Sequence, residues 1–99
     1  MNWEQKLQAM QSLDTGVNPK MRDPGDWYTS VPGEIGGDGV LTSTYGDGTT
    51  PKKSVEAAWE IVVSVPKDRH LRIGGMDGRC VRWNGIMFAD VEPPRRRTG

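Results

Sequence analysis

Residues able to do chemistry are few in this chain. His70 is its only histidine and Cys80 its only cysteine. A histidine-containing triad would have to use His70, and multi-histidine metal centres and cysteine-based zinc sites lack donors. Arg72, Arg79 and Arg82 lie near Cys80 in the sequence. No second histidine or positioned acid completes a nucleophile, so Cys80 reads as a structural or incidental thiol. Asp23, Asp26, Glu34, Asp38 and Asp47 offer oxygen donors for a hard cation, but their spacing matches no EF-hand loop. Gly46-Asp47-Gly48-Thr49-Thr50 precedes a helix start, a place where phosphate can bind. It lacks the Lys-Ser/Thr ending of a P-loop, and Asp47 would repel an anion. The expectation is a non-enzyme with no cofactor and no metal.

Basic residues are the better lead. Residues 1–50 hold three Lys or Arg against seven Asp or Glu, and residues 51–99 hold ten against six. The net charge of zero thus hides an acidic first half and a basic second half. The halves can neutralise each other on folding, or leave one basic face for an anionic partner. Arg95, Arg96 and Arg97 form a short basic cluster that can contact nucleic acid. Three charges give mainly salt-sensitive, non-specific affinity.

The elements that must position these residues follow from local pattern. Residues 2–13 read as an amphipathic helix with Trp3, Leu7 and Met10 on one stripe. Asn2 and Gln5 suit a capping box. Residues 14–25 read as a linker. Asp26–Val31 and Val40–Tyr45 read as strands of an antiparallel hairpin, joined by a long, mobile glycine-rich loop over 32–39. Thr50 caps a second helix, with Pro51 as its first residue. Its stripe is Val55, Ala58, Trp59 and Val62, and Pro66 ends it. Three short strands follow. Asn84-Gly85 suggests a two-residue turn pairing Trp83 with Ile86 and Val81 with Phe88. A three-residue loop over Met76-Asp77-Gly78 then pairs Leu71 with Trp83 and Ile73 with Val81. Both turns put Leu71, Ile73, Val81, Trp83, Ile86 and Phe88 on one face, with Trp59 meeting Trp83 in the core.

The order α-β-β-α-β-β-β implies an α+β domain over residues 1–92. Its antiparallel sheet, a hairpin plus a three-strand meander, packs on one central helix. Residues 93–99 are expected to be a flexible basic tail. The same register sets Arg72 opposite Arg82 on the other sheet face, with His70 in the row and Arg69 beside it. Like charges directly opposite on a sheet are destabilising unless neutralised. An anion or an acidic partner would do that; so would acidic groups from residues 1–50. Trp3, Trp27 and Tyr28 are candidate partner anchors. Trp27 and Tyr28 are neighbours in a strand and face opposite sides. The longest apolar run, Ile61-Val62-Val63, is far short of a membrane span. The first residues carry no signal-peptide hydrophobic core.

Three blocks carry a resemblance: Gly25-Asp26-Trp27-Tyr28, the stretch GVLTSTYGDGTTPKKSVEAAW from Gly39 to Trp59, and RCVRWNGIMFADVE from Arg79 to Glu92. Over about residues 20–92 the chain resembles small uncharacterised proteins encoded in tailed-bacteriophage genomes. The resemblance implies a setting, the infected bacterium, and no activity. The expectation is an accessory binding protein in the host cytoplasm, acting on a host or defence component through its basic sheet face. A host or phage protein is the first expected partner, then an anionic small ligand, then nucleic acid; a homo-oligomer fits as well. The alternative is a virion component, a decoration or connector protein.

Overall fold

The computed structural model describes residues 1–37, 40–74 and 78–92. It is an α+β fold in which one helix packs on a face of a six-stranded antiparallel sheet and the other helix packs mainly on the first. Helix α1 spans Trp3–Gln11 and begins with the expected capping box. Gln5 N–H donates to Asn2 Oδ1 at 2.8 Å, and Asn2 N–H donates to Gln5 Oε1 at 3.0 Å. A helix this short is marginal alone, and it is held by docking: Met10 is fully buried, with Trp3, Leu7 and Ala9 against the core. Its main neighbour is helix α2, Pro51–Val63. There Thr50 Oγ1 accepts from Lys53 N–H at 3.2 Å.

The segment expected to be a linker contains a strand, β1, Pro19–Asp23. It pairs with β2, Asp26–Gly37, around the two-residue turn Pro24-Gly25, where Gly25 has φ 77°. Its sequence PKMRD has no apolar alternation because it lies at a sheet edge, where proline at the first position and charged side chains are tolerated. Strand β2 continues through the expected glycine-rich loop, pairing with β3, Val40–Gly48, as far as Gly37↔Val40. Asp38 and Gly39 lie outside the described residues. Between Ser30↔Tyr45 and Glu34↔Ser43 the register shifts, so Val31, Pro32 and Gly33 stand against Thr44 in a bulge. The buried Thr44 hydroxyl lies within hydrogen-bond reach of Val31 O and, at 3.1 Å, of Gly33 O, two carbonyls near the disrupted pairing.

Strand β4, His70–Ile73, joins β2 beyond β1 on the same edge, at Glu34↔Arg72, Ile35↔Leu71 and Gly36↔His70. Strands β5, Arg79–Trp83, and β6, Phe88–Asp90, complete the sheet. Both meander registers differ from expectation by two residues. Leu71 pairs with Val81 and Arg72 with Cys80, while Trp83 pairs with Phe88 and Val81 with Asp90. The expected two-residue turn is a four-residue loop, Asn84–Met87. Asn84 Oδ1 accepts from Ile86 N–H and Met87 N–H, each at 2.9 Å, which moves Ile86 from the expected core row to an 85% exposed tip. The expected loop over Met76-Asp77-Gly78 falls largely on residues 75–77, outside the described residues.

An even shift leaves the face of every strand residue unchanged, so the core forms as expected. Leu71, Ile73, Val81 and Phe88 are buried with Val55, Ala58, Trp59 and Val62. Trp59 meets Trp83 edge-on with ring centroids 4.7 Å apart, and Phe88 closes the trio at 5.9 and 5.1 Å. Where α2 crosses β3 the sheet carries Gly46 and Gly48 in place of side chains. The buried Thr29 hydroxyl is 2.9 Å from Ser54 Oγ, which donates to Pro51 O at 2.8 Å.

Candidate functional site

Since α2 packs on the inner face and α1 on α2, no helix among the described residues covers the sheet's outer face. Strand alternation places Lys20, Arg22, Tyr28, Ser30, Tyr45 and Asp47 on one half of it. Glu34, Arg72, His70, Cys80, Arg82 and Ala89 lie on the other.

The expected Arg72–Arg82 apposition does not occur, because Cys80 faces Arg72 in the actual register. Arg72 instead forms an ion pair with Glu34, directly across on β2. The alternative expectation, neutralisation by an acidic group from residues 1–50, thus describes Arg72. Arg82 is turned toward the α2–β4 connection. Its Nη1 donates to Val65 O at 2.7 Å, and its Nη2 donates to Pro66 O at 3.0 Å and Arg69 O at 2.9 Å. One planar guanidinium thereby ties down three carbonyls of the turn that launches β4, a geometry lysine cannot match. Arg69 is half-buried, its Cγ near Gly37. His70 lies across from Gly36, with Nδ1 buried and unpartnered; Arg72 Nε is likewise buried without a partner. Cys80 is diagonal to His70 on this face, yet Nδ1 makes no bond to the thiol, so the two are not a nucleophile–base pair through that nitrogen.

The tyrosine half has its own network. The Arg22 guanidinium sits 4.7 Å from the centroid of Tyr28, held by ion pairs to Asp47 and, at 3.6 Å, to Asp26. Two carboxylates weighed as cation ligands, Asp26 and Asp47, are therefore spent on Arg22, as Glu34 is on Arg72. Tyr45 stands diagonal to Tyr28 and is 45% exposed. At the far corner Arg79 Nε lies 3.6 Å from Asp90 Oδ1.

Of the expected anchors, Trp3 is half-buried and packs on the body of its own domain. Trp27 is half-buried on the helix side of the sheet, and Tyr28 is on the open face under Arg22. Arg95, Arg96 and Arg97 lie outside the described residues. Sequence reading missed Arg22 and Tyr45, and weighed Glu34 only as a cation ligand. Pro24-Gly25 was the signal for the first hairpin, because a tight turn before a strand implies a strand on its other side; recognising β1 would have put Arg22 beside Tyr28.

Paired charges included, the outer face carries Lys20, Arg22, Arg72 and Arg82 against Asp26, Glu34 and Asp47, an excess of a single positive charge. No helix among the described residues is long and apolar enough to cross a membrane. No protein-family model, curated protein or solved structure matches the chain.

Proposed function

We propose that this protein is a small, non-enzymatic, phage-encoded accessory binding module. In this reading it acts in the host cytoplasm on a host or defence component, through its outer sheet face. The observation that carries the reading is the one-sided build of the domain. All the described helical cover is on the inner face, while the outer face keeps a positive excess on rigid strands. Such a surface suits an acidic protein loop or an anionic ligand. Arg72 is paired with Glu34, His70 lies beside it on β4 with Arg69 next in the chain, and Lys20 stands on the tyrosine half. Arg82 acts indirectly, by holding the turn on which Arg69 and His70 stand. The phage setting rests on the resemblance over residues 20–92.

The test is affinity capture from infected cells with one face reversed at a time. Lys20→Glu/Arg69→Glu is expected to lose at least tenfold of any captured partner. Lys52→Glu/Lys53→Glu, on the exposed side of α2, is expected to retain it. Equal retention by both variants, with circular dichroism showing both folded, would sink the reading.

One observation favours the alternative virion role. Strand β3 pairs with β2 alone among the described residues, so its other edge offers backbone groups to a neighbouring subunit. Mass spectrometry of purified particles separates the two: stoichiometric presence supports a decoration or connector protein, and absence supports the accessory module.

A further inference from the structure

We infer that the outer sheet face is a stacking platform for single-stranded nucleic acid, an inference that rests on the binding-face reading above and names its partner. Two flat, polarisable surfaces point to solvent from the strands on either side of β2. One is the Tyr45 ring, 45% exposed on β3. The other is the Arg22 guanidinium, lying over Tyr28 and fixed by Asp47 and Asp26. Strand register makes Tyr28 and Tyr45 diagonal neighbours, a separation of about 7–8 Å between such positions. Bases splayed from a single strand stack on aromatic rings or on arginine planes set at such intervals.

Beside the rings Lys20 and Arg22 offset the carboxylates Asp26 and Asp47. Lys20 lies directly across from Tyr28. Farther along β2, beyond the bulge, the same face reaches Arg72 and His70. Between the two halves this face carries the small polar residue Ser30, and no described bulky aliphatic side chain interrupts the path. An acidic protein loop would use the cations and leave the Tyr45 ring idle. A duplex would present phosphates and hide its base faces. Single strands use both features, and that decides between the classes.

Fluorescence anisotropy with labelled dT12 at 50 mM salt tests this on the full chain. Expected is saturable binding, with log K falling against log salt at a slope of roughly −1.5 to −3, for two to four phosphate contacts on a single strand. Tyr45→Ala should weaken it by roughly fivefold to a hundredfold, the usual worth of one stacked base. Tyr45→Phe should bind within about twofold of the wild type, because the ring persists. Duplex of equal length should bind at least about tenfold more weakly. The inference is overturned if dT12 does not bind, if Tyr45→Ala binds as well as wild type, or if duplex matches single strand. Binding of hexaglutamate with none to dT12 also overturns it, while leaving the binding-face reading intact. Loss of outer-face dependence for every anion would overturn both.

Discussion

Gly46→Ala will lose about 3 kcal/mol or more of stability, the largest effect expected from adding a single methyl group anywhere in this sheet. A Cβ at Gly46 would stand 2.6 Å from the carbonyl carbon of Ala57 and 2.7 Å from its Cβ, and closer still to the Ala58 backbone nitrogen. Real Cβ atoms do not approach backbone this closely, and a helix backbone cannot swing aside like a flexible side-chain end. The methyl must therefore push α2 off β3. Overpacking usually costs about 1–3 kcal/mol; here the strain falls on two backbones rather than on rotamers, which places it at or beyond the top of that range. Moving α2 also separates Ser54 from Thr29, a buried hydroxyl pair, and unpaired buried groups add their own penalty. Urea unfolding followed by circular dichroism reads the loss. A midpoint within 0.3 M of wild type would mean that helix and sheet are not packed backbone to backbone.

Trp59→Ala is expected to cost about 3–5 kcal/mol, as large aromatic truncations in cores do. Trp59 is 6% exposed and touches rings from two strands, Trp83 and Phe88. Its removal opens a void between α2 and the meander, and it forfeits two edge-on contacts worth about 0.5–1.5 kcal/mol each beyond their area. With total stability for a domain this size commonly about 5–15 kcal/mol, the variant sits near the unfolding threshold at 37 °C. Trp59→Phe should recover roughly half of the loss. The intrinsic fluorescence of Trp83 should also shift to the red in the alanine variant, since its covering ring is gone; an unshifted spectrum would contradict the trio.

Local chemistry was legible in advance and long-range register was not, for a definite reason. Asn2 and Gln5, or Thr50 and Pro51, act within one turn of helix, so their types alone specify the geometry. The apolar face of the meander was equally legible, because alternation distinguishes the two faces of a strand. It does not distinguish registers two residues apart, which keep every side chain on the same face. Turn chemistry had to break that tie. Asn84-Gly85 suits a two-residue turn, but here the Asn84 side chain binds the backbone of Ile86 and Met87 and stretches the loop to four residues. One choice at Asn84 thus exposed Ile86, and the matching two-residue difference across β4–β5 separated Arg72 from Arg82. The candidate site suffered most, since it depended on which arginine faced which. Strand β1 was hidden because edge strands need no apolar alternation. The bulge at Val31–Gly33 was hidden because Pro32 and Gly33 read as loop wherever they occur.

What survives is a one-sided domain, and the proposal that its open sheet face is a recognition surface. A ¹⁵N–¹H correlation titration with a heparin-derived hexasaccharide, a generic polyanion, tests that most directly. Shifts should gather on Lys20, Arg22, Tyr28, Tyr45, Arg69, His70 and Arg72, with the exposed lysines of α2, Lys52 and Lys53, unmoved. Shifts centred on α2, or spread evenly over both faces, would contradict it.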